Sequence, residues 1–228
     1  MFRLYIANKN YSSWSLRPWV LMREVGIPFE EELVPFLGEA DPDAFRSFSP
    51  TGKVPCLSDG ETTVWDSLGI VEHLAERFPA VWPRDAAARS WARCASAEMH
   101  SGFGTLRDIC TMNCGIRVRL APYPAALARE IERLDALWNE GLERFGGPFL
   151  AGAEFTAVDA FFTPVAFRAQ TYALPLSEAA TAYAARLLAL PSVQEWYAAA
   201  LAETWREEGH EAEARRAGEW LADLRARE

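Results

Sequence analysis

The chain has 228 residues, half of them hydrophobic and 24% charged, with a formal net charge of −9. That length suits one large domain or two modest ones, each with a real core. An acidic chain with no polybasic run excludes nucleic acid as an electrostatic partner and gives no hold on an anionic membrane.

The start, MFRLYIANKN, has no basic segment leading into an apolar stretch, and no run of about 18 apolar residues follows. A cytoplasmic protein without a membrane span is therefore expected. The four cysteines, Cys56, Cys94, Cys110 and Cys114, form no Cys-x-x-Cys pair and read as reduced thiols. Cys110 and Cys114 have helical spacing. A metal would need two further ligands from a chain with three histidines, so no metal is expected.

Taken in order, residues 2–7 alternate Phe2, Leu4 and Ile6 and read as a strand. Ser12-Ser13-Trp14-Ser15 opens a helix that stops at Gly26. Pro18 fits only in its first turn, which puts the start near Ser13–Ser15. Residues 29–36 read as a second strand and 41–48 as a short helix opened by Asp41-Pro42. Two short β-type runs flank Asp59-Gly60, a strong hairpin signal. Ser67 then opens a helix to Phe78, with Leu68, Val71, Leu74 and Ala75 at helical spacing. The order βαβαββα is the thioredoxin-like arrangement in outline, over residues 1–80. Pro79 and Pro83, both within 78–85, mark the boundary, with 81–87 as the linker. The remainder, 88–228, reads as an all-α domain of five or six helices, one over about 86–114 and one over about 125–145. Thr156 and Asp159 form a capping box for a further helix.

Three local patterns carry chemistry. The Ser12–Ser15 turn points backbone N–H groups and the helix dipole above the sheet, where a thiolate would be stabilised. A serine hydroxyl there adds one hydrogen bond to a charged acceptor, worth about 1.5–3 kcal/mol. That is roughly 1–2 pKa units on the thiol, enough to make it the nucleophile. Read alone, the same serines are ordinary helix caps. The second pattern is Lys53-Val54-Pro55-Cys56-Leu57. A cis bond before Pro55 would turn the Val54 N–H and C=O outward to pair with an extended peptide; a proline starting a strand is the ordinary alternative. The third is Asp66-Ser67 at a helix start. Asp66 suits an ammonium, and Ser67 with the free N–H groups suits a carboxylate; both also suit plain capping. Together they describe a site for a short peptide with an amino-acid head, an extended middle and a thiol.

These motifs, in this order, resemble the glutathione transferase family over nearly the whole chain. Ser12-Ser13-Trp14-Ser15-Leu16-Arg17 resembles the active-site turn of serine-type members, notably the zeta class and its bacterial relatives. Gly52-Lys53-Val54-Pro55-x-Leu57 resembles the family's cis-proline strand, and Thr156/Asp159 its structural cap. The family usually has Glu-Ser or Gln-Ser where this chain has Asp66-Ser67, so the Asp66 contact is shorter in reach. The resemblance implies that Ser12, counted back from Arg17, activates the thiol, with Ser13 next in line. It implies that Val54 pairs with the cysteinyl residue of glutathione, that Asp66 and Ser67 hold the γ-glutamyl end, and that Lys53 reaches the glycyl carboxylate. Trp14 narrows a second-substrate pocket between the domains, to which Met99, His100, Phe103 and Arg107 are candidates. Met99 and Phe103 also fit a core stripe, and His100 and Arg107 a solvated face. The implied protein is a homodimeric enzyme that takes glutathione as co-substrate, with no other cofactor, and a small electrophile, by conjugation or by isomerisation as in maleylacetoacetate isomerase. A thiol–disulfide mechanism is disfavoured because Ser12 and Ser15 stand where a Cys-x-x-Cys pair would lie. A non-catalytic glutathione-binding protein is the competing reading.

Overall fold

The structure is a computed structural model of the chain and describes residues 1–36 and 44–226. Strand β1 (Phe2–Ile6) is central and buries Phe2, Leu4 and Ile6. It runs parallel to β2 (Phe29–Leu33), with Phe2 opposite Phe29, and antiparallel to β3 (Cys56–Asp59), with Leu4 opposite Leu57. Gly60, at φ +63°, makes the tight turn into β4 (Thr62–Val64), and the sheet order is β2-β1-β3-β4. Helix α1 (Ser13–Glu24) is the crossover that lets β1 and β2 run parallel. A 3-10 turn, Ala44–Ser47, stands where the second helix was expected; its expected Asp41-Pro42 opening lies outside the described residues. Helix α2 (Ser67–Ala75) completes the expected thioredoxin-like order and ends short of Phe78.

Pro18 departs from expectation. Since α1 begins at Ser13, Pro18 falls in the second turn, not the first. The helix runs on through it and forgoes the one bond a residue-18 N–H would give the Trp14 carbonyl.

Beyond a 3-10 turn at Pro79–Val81 the chain is mainly helical. Seven helices occur here among the described residues: α3 (Ala86–Ser101), α4 (Gly104–Ile109), α5 (Ala125–Phe145), α6 (Ala157–Tyr172), α7 (Glu178–Leu188), α8 (Pro191–Ala202) and α9 (Glu208–Ala217). The single helix expected to about residue 114 is two. Gly102 ends α3 where a Cβ would stand 2.7 Å from the Glu98 carbonyl, and Phe103 turns the chain with φ +53°. A two-stranded antiparallel ribbon, β5 (Ile116–Leu120) with β6 (Gly218–Asp223), adds to the helices that were expected alone. Its strands lie about a hundred residues apart, so no local turn announces the pairing.

Helix α6 is the axle of the molecule. It is buried almost throughout and packs against α1, α3, α7 and β5. Its carboxylate Asp159 accepts from the Thr156 N–H at 2.9 Å, the Leu150 N–H at 3.0 Å and the Tyr183 hydroxyl at 2.8 Å. This fixes the helix that reaches across to the N-terminus of α1.

Candidate active site

The site grows from the turn after β1. The Asn8 carbonyl accepts from the N–H groups of Tyr11 and Ser12, which folds the chain back into α1. Ser12 is the N-cap residue, yet its side chain does not cap. Its hydroxyl donates to Ser15 Oγ at 2.7 Å, and Ser15 Oγ also accepts from the Ala7 N–H at 3.3 Å. Ser13, the first helical residue, has its oxygen facing the other way and accepts from Arg168 Nη2 at 3.3 Å. The two serines therefore belong to different hydrogen-bond systems.

Arg168 comes from α6, one turn before its C-terminal end. Its Nε donates to the Cys110 carbonyl at 2.8 Å, and the side chain is almost wholly buried. Thr171 and Tyr172 hold the carbonyls of Asn113 and Thr111 in the same loop. Burial pushes the Cys110 thiol up to about 12, so it stays protonated and inert.

A second arginine, Arg17, lies fully buried behind the turn. Its guanidinium sits 4.1 Å from the Trp14 ring centroid and 4.9 Å from that of Phe161. None of its three nitrogens has a hydrogen-bond partner among the described residues. Burial first, then the cations of Arg168 and Arg107, push Arg17 well below the usual arginine range, with Asp66 opposing. Burial likewise brings Arg168 down to about 10. Both remain cations at neutral pH.

A cavity of about 440 Å³ opens over this turn. Its floor is Tyr11, Ser12, Ser13 and Trp14; one side is the loop Gly52-Lys53-Val54. The Val54–Pro55 peptide is cis, as the resemblance implies. The opposite side is Arg107, Thr111 and Met112 beside Arg168, and α9 supplies His210 and Glu213. His210 stacks on both Tyr11 and Phe36, at 5.0 and 5.3 Å between centroids.

Of the sequence candidates, Ser12, Ser13, Trp14, Lys53, Val54 and Arg107 share this cavity; Pro55, Asp66, Ser67, Met99, His100 and Phe103 do not line it. Met99 and Phe103 are core residues, so their place in a pocket is corrected: Met99 lies on the buried face of α3 with Ala92 and Ala95, and Phe103 is buried at the turn after Gly102. His100 does not face the cavity either. It lies edge-on to Trp14 at 5.3 Å and pairs with Asp66 at 3.3 Å, and burial lowers its pKa. Asp66 caps α2, accepting from Leu68 and Gly69 N–H groups. Ser67 is fully buried, and its hydroxyl finds no partner among the described residues. Arg168 and His210 were missed. The available signal for Arg168 was one arginine in an otherwise apolar helical run after the Thr156/Asp159 box.

Two family models match the chain: the glutathione S-transferase N-terminal domain over residues 11–77 and the C-terminal domain over residues 123–199. The chain belongs to the glutathione S-transferase family. A probable maleylacetoacetate isomerase of Caenorhabditis elegans is 26% identical over 76% of this chain and 81% of its own. Human glutathione S-transferase theta-1 is 27% identical over 68% and 70%. Among solved structures, the theta class glutathione S-transferase of Xanthomonas axonopodis pv. citri with glutathione bound is 25% identical, with a TM-score of 0.60 over 86% of this chain and 96% of that one. No helix among the described residues is long and apolar enough to cross a membrane.

Proposed function

We propose that the chain activates glutathione as its thiolate over the Ser12–Ser13 turn and transfers the sulfur to a small electrophile in the cavity. The observation that carries this reading is the meeting of α1's N-terminus and the Val54 loop on one cavity walled by arginines. The cysteinyl backbone of glutathione pairs with Val54, Lys53 faces its glycyl carboxylate, and the γ-glutamyl end lies toward Asp66 and Ser67. Support for the last contact is the orphaned Ser67 hydroxyl at the start of α2. The relative from Xanthomonas axonopodis pv. citri with glutathione bound also supports the choice of ligand.

In the reaction the thiol proton leaves to water. The sulfur lone pair forms a bond to carbon, and the leaving group departs with its electron pair; with an unsaturated substrate the sulfur adds and is later expelled. Hydrogen bonding favours Ser13 over Ser12 as the activating hydroxyl. The Ser12 proton is directed to Ser15, while the Ser13 oxygen accepts from Arg168 and its proton, with no acceptor among the described residues, is available to the sulfur. The test is conjugation of an aryl halide by wild type and by the Ser12→Ala and Ser13→Ala variants. A glutathione-binding protein without turnover is the outcome that overturns the catalytic part.

A further inference from the structure

We propose that Arg168 is a positioning residue for the thiolate: from the helical domain it grips the Ser13 oxygen, turns that hydroxyl's proton toward the bound sulfur, and sets a fixed cation behind it. The inference rests on the reading that glutathione occupies the cavity.

Four observations carry it. Arg168 lines the cavity although its side chain is almost wholly buried. Its Nε bond to the Cys110 carbonyl fixes the plane of the guanidinium, and Nη2 then reaches Ser13 on the other domain. Nη1 has no partner among the described residues. Among the described residues, the groups acting most on its charge are Tyr172 of its own helix, Cys110 and Cys114 of the adjoining loop, and Arg107 of α4, with no carboxylate among them. Arg17 of α1 adds a third cation. Asp108 of α4 and Glu213 and His210 of α9 line the same cavity, and among the described residues none of them bonds Arg168.

A buried cation without a counter-ion is costly unless an anion completes it. The one reactant that becomes an anion beside Ser13 is the thiolate. A serine oxygen that accepts from a cation also donates more strongly, because the two bonds polarise each other.

The experiment titrates the ultraviolet thiolate absorbance of glutathione bound to the full chain. In wild type the bound thiol should titrate at least about one unit below free glutathione. Arg168→Met should raise that value by about one unit, roughly a tenfold loss of thiolate in the rising limb. Affinity for S-methylglutathione, which has no proton to lose, should stay within about threefold. Arg168→Lys should recover part of the shift, and Arg168→Met should add little in a Ser13→Ala background. An unshifted bound thiol in wild type overturns the proposal without any variant, which covers the case in which Arg168 substitutions do not fold. So does a folded Arg168→Met that leaves the thiol unchanged and instead raises KM only for acceptors bearing a carboxylate; Arg168 would then anchor the acceptor. Failure of wild type to bind S-methylglutathione overturns the glutathione reading itself, and this inference with it.

Discussion

An arginine that leaves water without gaining hydrogen-bond acceptors loses its hydration for little return. Among the described residues Arg17 is in that position, held between the faces of Trp14 and Phe161. Cation–π contact offsets part of the cost, about 2 kcal/mol at a desolvated site. The repulsion from Arg107 and Arg168 adds to it. Arg17→Met fills similar volume without charge. It should raise folding stability by about 1–3 kcal/mol in denaturant titration while lowering glutathione conjugation. Loss of stability in that variant would mean that the two ring contacts outweigh the buried charge.

Among the elements, α6 carries the most. Its Asp159 serves four donors, the Leu150 and Thr156 N–H groups and the Thr156 and Tyr183 hydroxyls, all buried. Asp159→Ala strands all of them, at about 1–3 kcal/mol for each buried group left unsatisfied. A total loss of about 3–5 kcal/mol is expected from the denaturant midpoint; a loss under about 1 kcal/mol would show that water replaces the carboxylate. This helix was legible in advance because its cap is a local sequence signal, Thr156 followed by Asp159. The hairpin at Gly60 and the crossover α1 were legible for the same reason: turn residues and apolar spacing act over a few residues. Pro18 misled because a proline's local preference is for the first turn, while the buried packing of Leu16, Trp19 and Val20 holds the helix together around it. The break at Gly102 and the β5–β6 ribbon depend on contacts far apart in the chain. In the site, Ser12, Ser13, Trp14, Lys53 and Val54 could be placed from their motifs. Arg168 and His210 could not, since they reach the cavity only through the packing of α6 and α9.

At the scale of the whole molecule, the C-terminal segment ties the two ends of the chain to the site. Glu211 accepts from the Tyr11 hydroxyl at 2.7 Å and Asn113 Nδ2 at 3.3 Å, and both its oxygens bond Arg225. Burial alone would raise the Glu211 carboxyl, but hydrogen bonds from Arg225 and Tyr11 win and hold it below its usual range. A carboxylate depressed in the folded state adds stability above its unfolded pKa. That share is lost as pH falls below the ordinary value of 4.5 toward the folded one. Asp159, which burial raises to about 6, has the opposite sign, its share falling as pH rises from 3.8. Glu211→Gln separates them. It should cost about 2–4 kcal/mol at neutral pH and flatten the acid-side loss; an unchanged acid limb would assign that loss to other carboxylates. The helix held by this clamp, α9, also carries His210 and Glu213 into the cavity.

The most direct measurement is the rate of glutathione conjugation to an aryl halide in parallel for wild type, Ser12→Ala and Ser13→Ala. Removing a hydrogen bond to the thiolate costs about 1.5–3 kcal/mol, so Ser13→Ala should be slower by about ten- to a hundredfold. Ser12→Ala, which loses only the bond to Ser15, should fall by less than about fivefold. Equal, near-wild-type rates in both variants would contradict a serine-held thiolate over this turn, and a large loss confined to Ser12→Ala would contradict its assignment to Ser13.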